Sequence, residues 1–169
     1  MSNPIPAAVP VDGTRRSIFI PGDVANINAI TLAEIQSGID IENYITSDGR
    51  ATSGEQAVIE DNRHGSSQTF ELGGRKARSI TLTYTFNLAN PDEDEARIAL
   101  AEGTQGVLVE VLQVDEDADL AASDWYEADV VTCGEQNVVA TAVNALDRIS
   151  QRMFRRGRTV RFKQLAAGA

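Results

Sequence analysis

Alternation of apolar and polar positions dominates the chain. Its clearest stretch sets Ile80, Leu82, Tyr84 and Phe86 against Thr81, Thr83, Thr85 and Asn87. A period of two, with β-branched residues on the polar side, predicts a strand with one buried and one wet face. Residues 107–114 are almost continuously apolar, which predicts a central strand covered on both faces. Residues 125–133 read as a further strand. Residues 39–46 are strand-like, with Ile39, Ile41 and Ile45 of one parity, and Ser47-Asp48-Gly49-Arg50 supplies turn chemistry after them. Residues 51–67 are polar and glycine-punctuated around one apolar pair, Val58-Ile59, and predict a long loop with room for a short strand. Thr69-Phe70-Glu71-Leu72 leads to Gly73-Gly74, a turn signal. The chain closes with two strands, about 145–154 and 159–165, joined around Arg156-Gly157.

Helical signals are few. A helix over about 91–102 has Asn90 as cap, Pro91 at its first position and Asp92 to Glu95 where the helix dipole favours negative charge. Ala96, Ala99 and Leu100 form its apolar stripe, and Gly103 stops it. Its acidic run reads as a solvated first turn, because consecutive carboxylates point around a helix rather than converging on a metal. Residues 30–37 suit a short helical segment or a bent strand, closed by Gly38. Residues 1–28 hold Pro4, Pro6, Pro10 and Pro21 with one apolar patch, Ile18-Phe19-Ile20, and read as an extended N-terminal arm with at most one strand. The domain itself is expected over residues 29–169. Seven to nine strands and one helix make the fold mainly β within the α+β class, a β-sandwich or half-barrel with a helix on one flank.

Composition narrows the chemistry. At 169 residues, 42% hydrophobic and 24% charged, the chain has the size of one globular domain. Cys133 is the single cysteine, which rules out an intrachain disulfide and a cysteine-rich zinc site; its apolar neighbours suggest packing rather than reactivity. His64 is the single histidine. Its setting, Arg63-His64-Gly65-Ser66-Ser67, would need another segment to deliver the acid of a Ser–His–acid arrangement, and the sequence has no Gly-x-Ser-x-Gly elbow. Gly73-Gly74-Arg75-Lys76 reads as a hairpin rather than a phosphate cradle. Paired carboxylates for glycoside chemistry are available among 25 acids, but one Trp and three Tyr offer little stacking surface for sugars. The expectation is a non-enzyme with no catalytic, cofactor or metal site. No apolar run approaches the roughly 20 residues of a membrane span, and the start lacks the order of a signal peptide, so no membrane anchor is expected.

Charge is partitioned. The formal net charge is −10, which disfavours a general nucleic-acid binder. All 25 acidic residues lie between Asp12 and Asp147 with eight basic ones, a balance of −17. From Arg148 onward there are seven basic residues and no acidic ones, a balance of +7. The densest acidic run holds Asp115, Glu116, Asp117 and Asp119; the densest basic run holds Arg155, Arg156, Arg158, Arg161 and Lys163. The two regions either neutralise one another within a subunit, or lie apart and draw copies together head to tail. A basic hairpin for nucleic acid is the third reading, disfavoured by the lack of interleaved aromatics and by the acidic remainder.

The order of these features resembles a known family. Thr31-Leu32-Ala33-Glu34-Ile35-Gln36-Ser37-Gly38-Ile39-Asp40-Ile41, leading into Tyr44-Ile45-Thr46, looks like the opening of major tail proteins of long, non-contractile-tailed bacteriophages, most of all those infecting actinobacteria. The likeness continues through Ser67-Gln68-Thr69-Phe70-Glu71, Gly74-Arg75-Lys76, residues 80–84, the acidic helix, Gly103-Thr104-Gln105-Gly106-Val107 and the closing strands. It covers about residues 29–165. The resemblance implies a structural virion protein of the tail tube type, whose hexameric rings stack into the tube that conducts DNA during ejection. The implied partners are further copies of itself, a tape-measure protein and tail-tip or terminator proteins, with DNA passing non-specifically. The implied location is the virion tail, reached from the host cytoplasm during assembly. On this reading Arg155, Arg156, Arg158, Arg161 and Lys163 face one neighbouring subunit, and Asp115, Glu116, Asp117 and Asp119 face another. The alternatives are a capsid decoration or tail-completion protein, and a β-barrel carrier of a small ligand.

Overall fold

The computed structural model describes residues 7–140 and 142–167. Along the chain it places β1 (Arg15–Pro21), α1 (Leu32–Gln36), β2 (Ile39–Asp40), β3 (Ile45–Asp61), β4 (Phe70–Thr85), α2 (Glu95–Ala99), β5 (Gln105–Leu112), β6 (Trp125–Val138) and β7 (Arg148–Gln164). The strands form one seven-stranded sheet in the order β2-β1-β5-β6-β7-β4-β3, antiparallel throughout. The fold is mainly β with short helices, as the alternation predicts.

The sheet is curled. β3 and β5 stand four places apart, which is about 19 Å on a flat sheet at roughly 4.8 Å per strand. Nevertheless Arg50 Nε of β3 lies 3.1 Å from Glu110 Oε2 of β5, closer than the two side chains could approach on a flat surface. The edge strands β2 and β3 are joined through residues 41–44 alone, so the strip bends into a half-barrel.

Two cores lie on its two faces. On the concave side, the face of Glu110, pack Phe19, Leu108, Ile80, Leu82, Tyr84, Val131, Ile149 and Met153, covered by Ala96, Ala99 and Leu100 in and after α2. On the convex side Ile18, Ile20, Val107, Val109, Val111, Tyr126 and Ala128 pack beneath Ile30 and Ile35 at α1. β5 is thus buried on both faces, as its unbroken apolar run requires. Tyr126 fastens the approach to α1: its hydroxyl donates to Ile27 O at 2.8 Å and accepts from Ile30 N at 3.1 Å. A buried glutamine fastens α2. Gln151 Nε2 donates to Leu100 O at 2.7 Å and Gly134 O at 2.8 Å, while its Oε1 accepts from the Tyr84 hydroxyl at 2.9 Å.

α1 opens with a capping box. Thr31 Oγ1 accepts from Glu34 N, and Glu34 Oε2 accepts from Thr31 N at 2.9 Å. Backbone donors from Thr31 and then Ala25 hold the Glu34 carboxyl below its ordinary pKa. A carboxylate depressed in the folded state stabilises above its unfolded pKa, and that gain disappears as pH falls through the lowered value. Glu34→Ala is therefore expected to cost about 0.5–1 kcal/mol at neutral pH. The gap to the parent should close in acid, as read by urea unfolding at both pH values.

Four expectations change. First, residues 15–21 are not part of an arm. β1 lies between β2 and β5, and Ile18, Phe19 and Ile20 are buried alternately in the two cores. Residues 1–6 of the expected arm lie outside the described residues.

Second, the helix expected over 91–102 is broken into a 3-10 turn, Pro91–Glu93, and α2. Asp94 interrupts it: its buried carboxylate turns inward to accept from Asn87 N and to pair with Arg97 at 2.6 Å, and its backbone (φ −89°, ψ 57°) leaves the helical region.

Third, residues 39–46 split between β2, a 3-10 turn at Glu42–Tyr44 and the start of β3. Fourth, glycine-containing turns and loops prove to be strand interiors. β3 runs through Ser47-Asp48-Gly49-Arg50 and residues 51–61, β4 through Gly73-Gly74, and β7 through Arg156-Gly157, so the two strands expected at the end are one. The glycines sit at close approaches beside register shifts. A Cβ on Gly49 would collide with Thr83 O, and one on Gly74 would fall 2.9 Å from Ala57 O. These glycines serve bulges rather than reversals of the chain.

Candidate functional site

β4 and β7 pair only from Ile80↔Met153 to Thr85↔Arg148. Beyond that point the outer halves of β3 and β4, with the turn at residues 62–69, continue as a two-stranded ribbon joined to the sheet at one end. Outward of Arg78 and Ser79, its side chains are exposed on both faces. Ile59 stands opposite Leu72, and Phe70 follows on the same face; the three are 54%, 59% and 49% exposed. Val58, on the other face, is also exposed. A two-stranded ribbon is at best marginally stable alone in water, and the free outer edge of β3 offers a row of unpaired backbone groups. His64 is exposed in the ribbon's turn.

The free edge of β7 faces this ribbon across a cleft of about 540 Å³, lined by Lys76 and Arg78 of β4, Arg155, Arg158 and Arg161 of β7, and Glu55 of β3. Arg155, Arg158, Arg161 and Lys163 are exposed and form no ion pair among the described residues. Arg156 pairs with Asp23.

Asp115, Glu116, Asp117 and Asp119 lie exposed in the β5–β6 connection, which is tied to the other side of the sheet. Glu116 N donates to Gly13 O at 3.0 Å, and Arg16 Nη1 donates to Ala118 O at 3.1 Å. None of these four acids forms an ion pair among the described residues. The acidic and basic sets are therefore not brought together within the subunit.

Inside the curl lies a charge network. Glu110 pairs with Arg50 at 3.1 Å and Arg15 at 3.0 Å; Arg78 lies 3.3 Å from Asp129 and 3.5 Å from Glu127. Thr159 donates its hydroxyl to the fully buried Asp129. Desolvation lowers the pKa of Arg50 from its usual value, against the pull of Glu110. Arg78 shares its parity with Ile80, Leu82 and Tyr84, and Glu110 interrupts an apolar run. That inward parity was the sequence signal for the network, which composition alone hides. Among the described residues no cluster of three or more His, Cys, Asp and Glu is arranged to hold a metal, and no helix is long and apolar enough to cross a membrane.

An open-edged half-barrel carrying an unsupported ribbon and unpaired charges of both signs is a building block. The profile of the phage tail tube protein family matches residues 2–168, and the chain belongs to that family. It is a structural protein of the virion tail. No curated protein matches it in sequence. Among solved structures it is similar to a chain of the "Cryo-EM structure of the anti-feeding prophage (AFP) baseplate, 6-fold symmetrised", with a TM-score of 0.50, 13% identity and 100% of each chain covered. At that identity the likeness is one of fold.

Proposed function

We propose that the protein polymerises into stacked hexameric rings that form the tube of a long non-contractile tail, the conduit through which DNA is ejected. The observation that carries this is the β3–β4 ribbon. It exposes Ile59, Phe70 and Leu72 together and has no core of its own, so a second copy is its natural support. The style of the sequence points to a phage of actinobacteria. A net charge of −10 suits a channel that repels phosphates and lets DNA slide. A tape-measure protein within the tube and tail-tip or terminator proteins at its ends complete the assembly, which begins in the host cytoplasm.

Electron microscopy of the concentrated protein, paired with sedimentation velocity over a dilution series, tests the reading. Rings and tubes that grow with concentration are expected. A single compact species at every concentration would refute it.

A further inference from the structure

We infer that the cleft between the outer halves of β4 and β7 receives the acidic β5–β6 connection of a second copy, and so sets how neighbouring subunits engage. The inference rests on the assembly reading and specifies its contact. Five cations line the cleft (Lys76, Arg78, Arg155, Arg158, Arg161) with Glu55 as the one acid, in a protein of net charge −10. Arg78, 6% exposed, is engaged by Asp129 and Glu127 of its own subunit. The cations left free for an occupant are Lys76, Arg155, Arg158 and Arg161, all exposed and without an ion pair among the described residues. Both walls are strand edges whose mutual pairing stops at Ile80 and Met153. Backbone donors and acceptors therefore accompany the guanidinium groups. An occupant must be acidic and must offer main chain as well as carboxylates.

The β5–β6 connection meets both demands. Asp115, Glu116, Asp117 and Asp119 are exposed and unpaired among the described residues, on a connection without strand or helix of its own. Its ties to Gly13 and Arg16 hold it away from the cleft of its own subunit. A contact between two different surfaces is heterologous, so it propagates from copy to copy. Exposed ion pairs add little each, but opposed like charges across an interface cost several kcal/mol, so the pairing selects register and direction.

Three variants test it. Arg155→Glu with Arg158→Glu, and separately Asp115→Arg with Asp117→Arg, should each raise the critical concentration for polymerisation by about 100-fold or more. Circular dichroism should show both folded. The chain carrying all four exchanges restores opposite signs and should polymerise again. Salt should weaken the parent's assembly.

A parent that never polymerises would remove the assembly reading itself. If the parent polymerises and the double arginine variant does so equally well, the cleft contact alone is wrong. Failure of the fourfold variant to recover, while folded, would show that the cleft has another partner. Retention of duplex DNA by the parent, lost in the arginine variant with polymerisation unchanged, would reassign the cleft to nucleic acid.

Discussion

Exchanging Ile59, Phe70 and Leu72 for serine is expected to raise the concentration at which polymers appear by about two to three orders of magnitude. Full burial of such a side chain is worth roughly 1.5–3 kcal/mol. Each is already about half covered in the subunit, at 54%, 49% and 59% exposure, so docking gains about half of that amount. Three side chains then supply about 3–4 kcal/mol per contact, and about 1.4 kcal/mol is a factor of ten. The isolated subunit should barely notice. The three residues lie outside both cores, and surface exchanges of this kind cost within about 0.5 kcal/mol each. Light scattering gives the critical concentration, and a thermal melt of the dilute protein gives the control. A folded variant that polymerises like its parent would show that the ribbon does not carry the contact.

Gln151→Leu acts on the opposite quantity. Its amide joins α2, β4 and β6, and the side chain is fully buried. Leucine matches the shape and removes the polar functions. Gly134 O then loses its side-chain donor and the Tyr84 hydroxyl its acceptor, while Leu100 O keeps only a 3.3 Å bond from Gln136. Each buried polar group left without a partner costs about 1–3 kcal/mol, so a loss of about 3 kcal/mol is expected. For a chain of this length that lowers Tm by roughly 6–12 °C. The Tyr84 hydroxyl still accepts from Gln136 Nε2 at 2.9 Å, but its proton has lost its acceptor. Adding Tyr84→Phe removes that proton, and the double variant should fall short of the summed single losses. Strict additivity in a calorimetric cycle would contradict the shared network.

Much of the sheet could be read from the sequence because burial leaves a pattern. Ile80, Leu82 and Tyr84 point into one core and Thr81 and Thr83 away from it, so β4 announces itself there; β5 is apolar throughout because both of its faces are covered. The outer ribbon left no such trace. Residues 51–61 expose both faces, so neither parity needs to be apolar, and a strand of that kind reads as a loop. Glycine misled for a related reason. Gly74 and Gly157 allow backbone to approach Ala57 and Val130 closely within the sheet, and the same residue type equally serves a chain reversal. Of the candidate contacts, the two charged sets stood out plainly as runs along the chain. Lys76 and Arg78, which share the cleft with β7, lie far from that run in sequence and are joined to it only by the pairing of β4 with β7.

One quiet residue bears on how a virion endures. Cys133 lies buried in the concave core, and desolvation pushes its thiol up to about 11. At neutral pH it is therefore almost wholly the unreactive thiol, and thiolate is the form that exchanges with disulfides. Particles left in aerated surroundings would not become covalently stitched to one another or scarred by mixed disulfides through this position. Contacts between copies of this chain are therefore ones that can be remade, with no bond at Cys133 for oxidation to scramble.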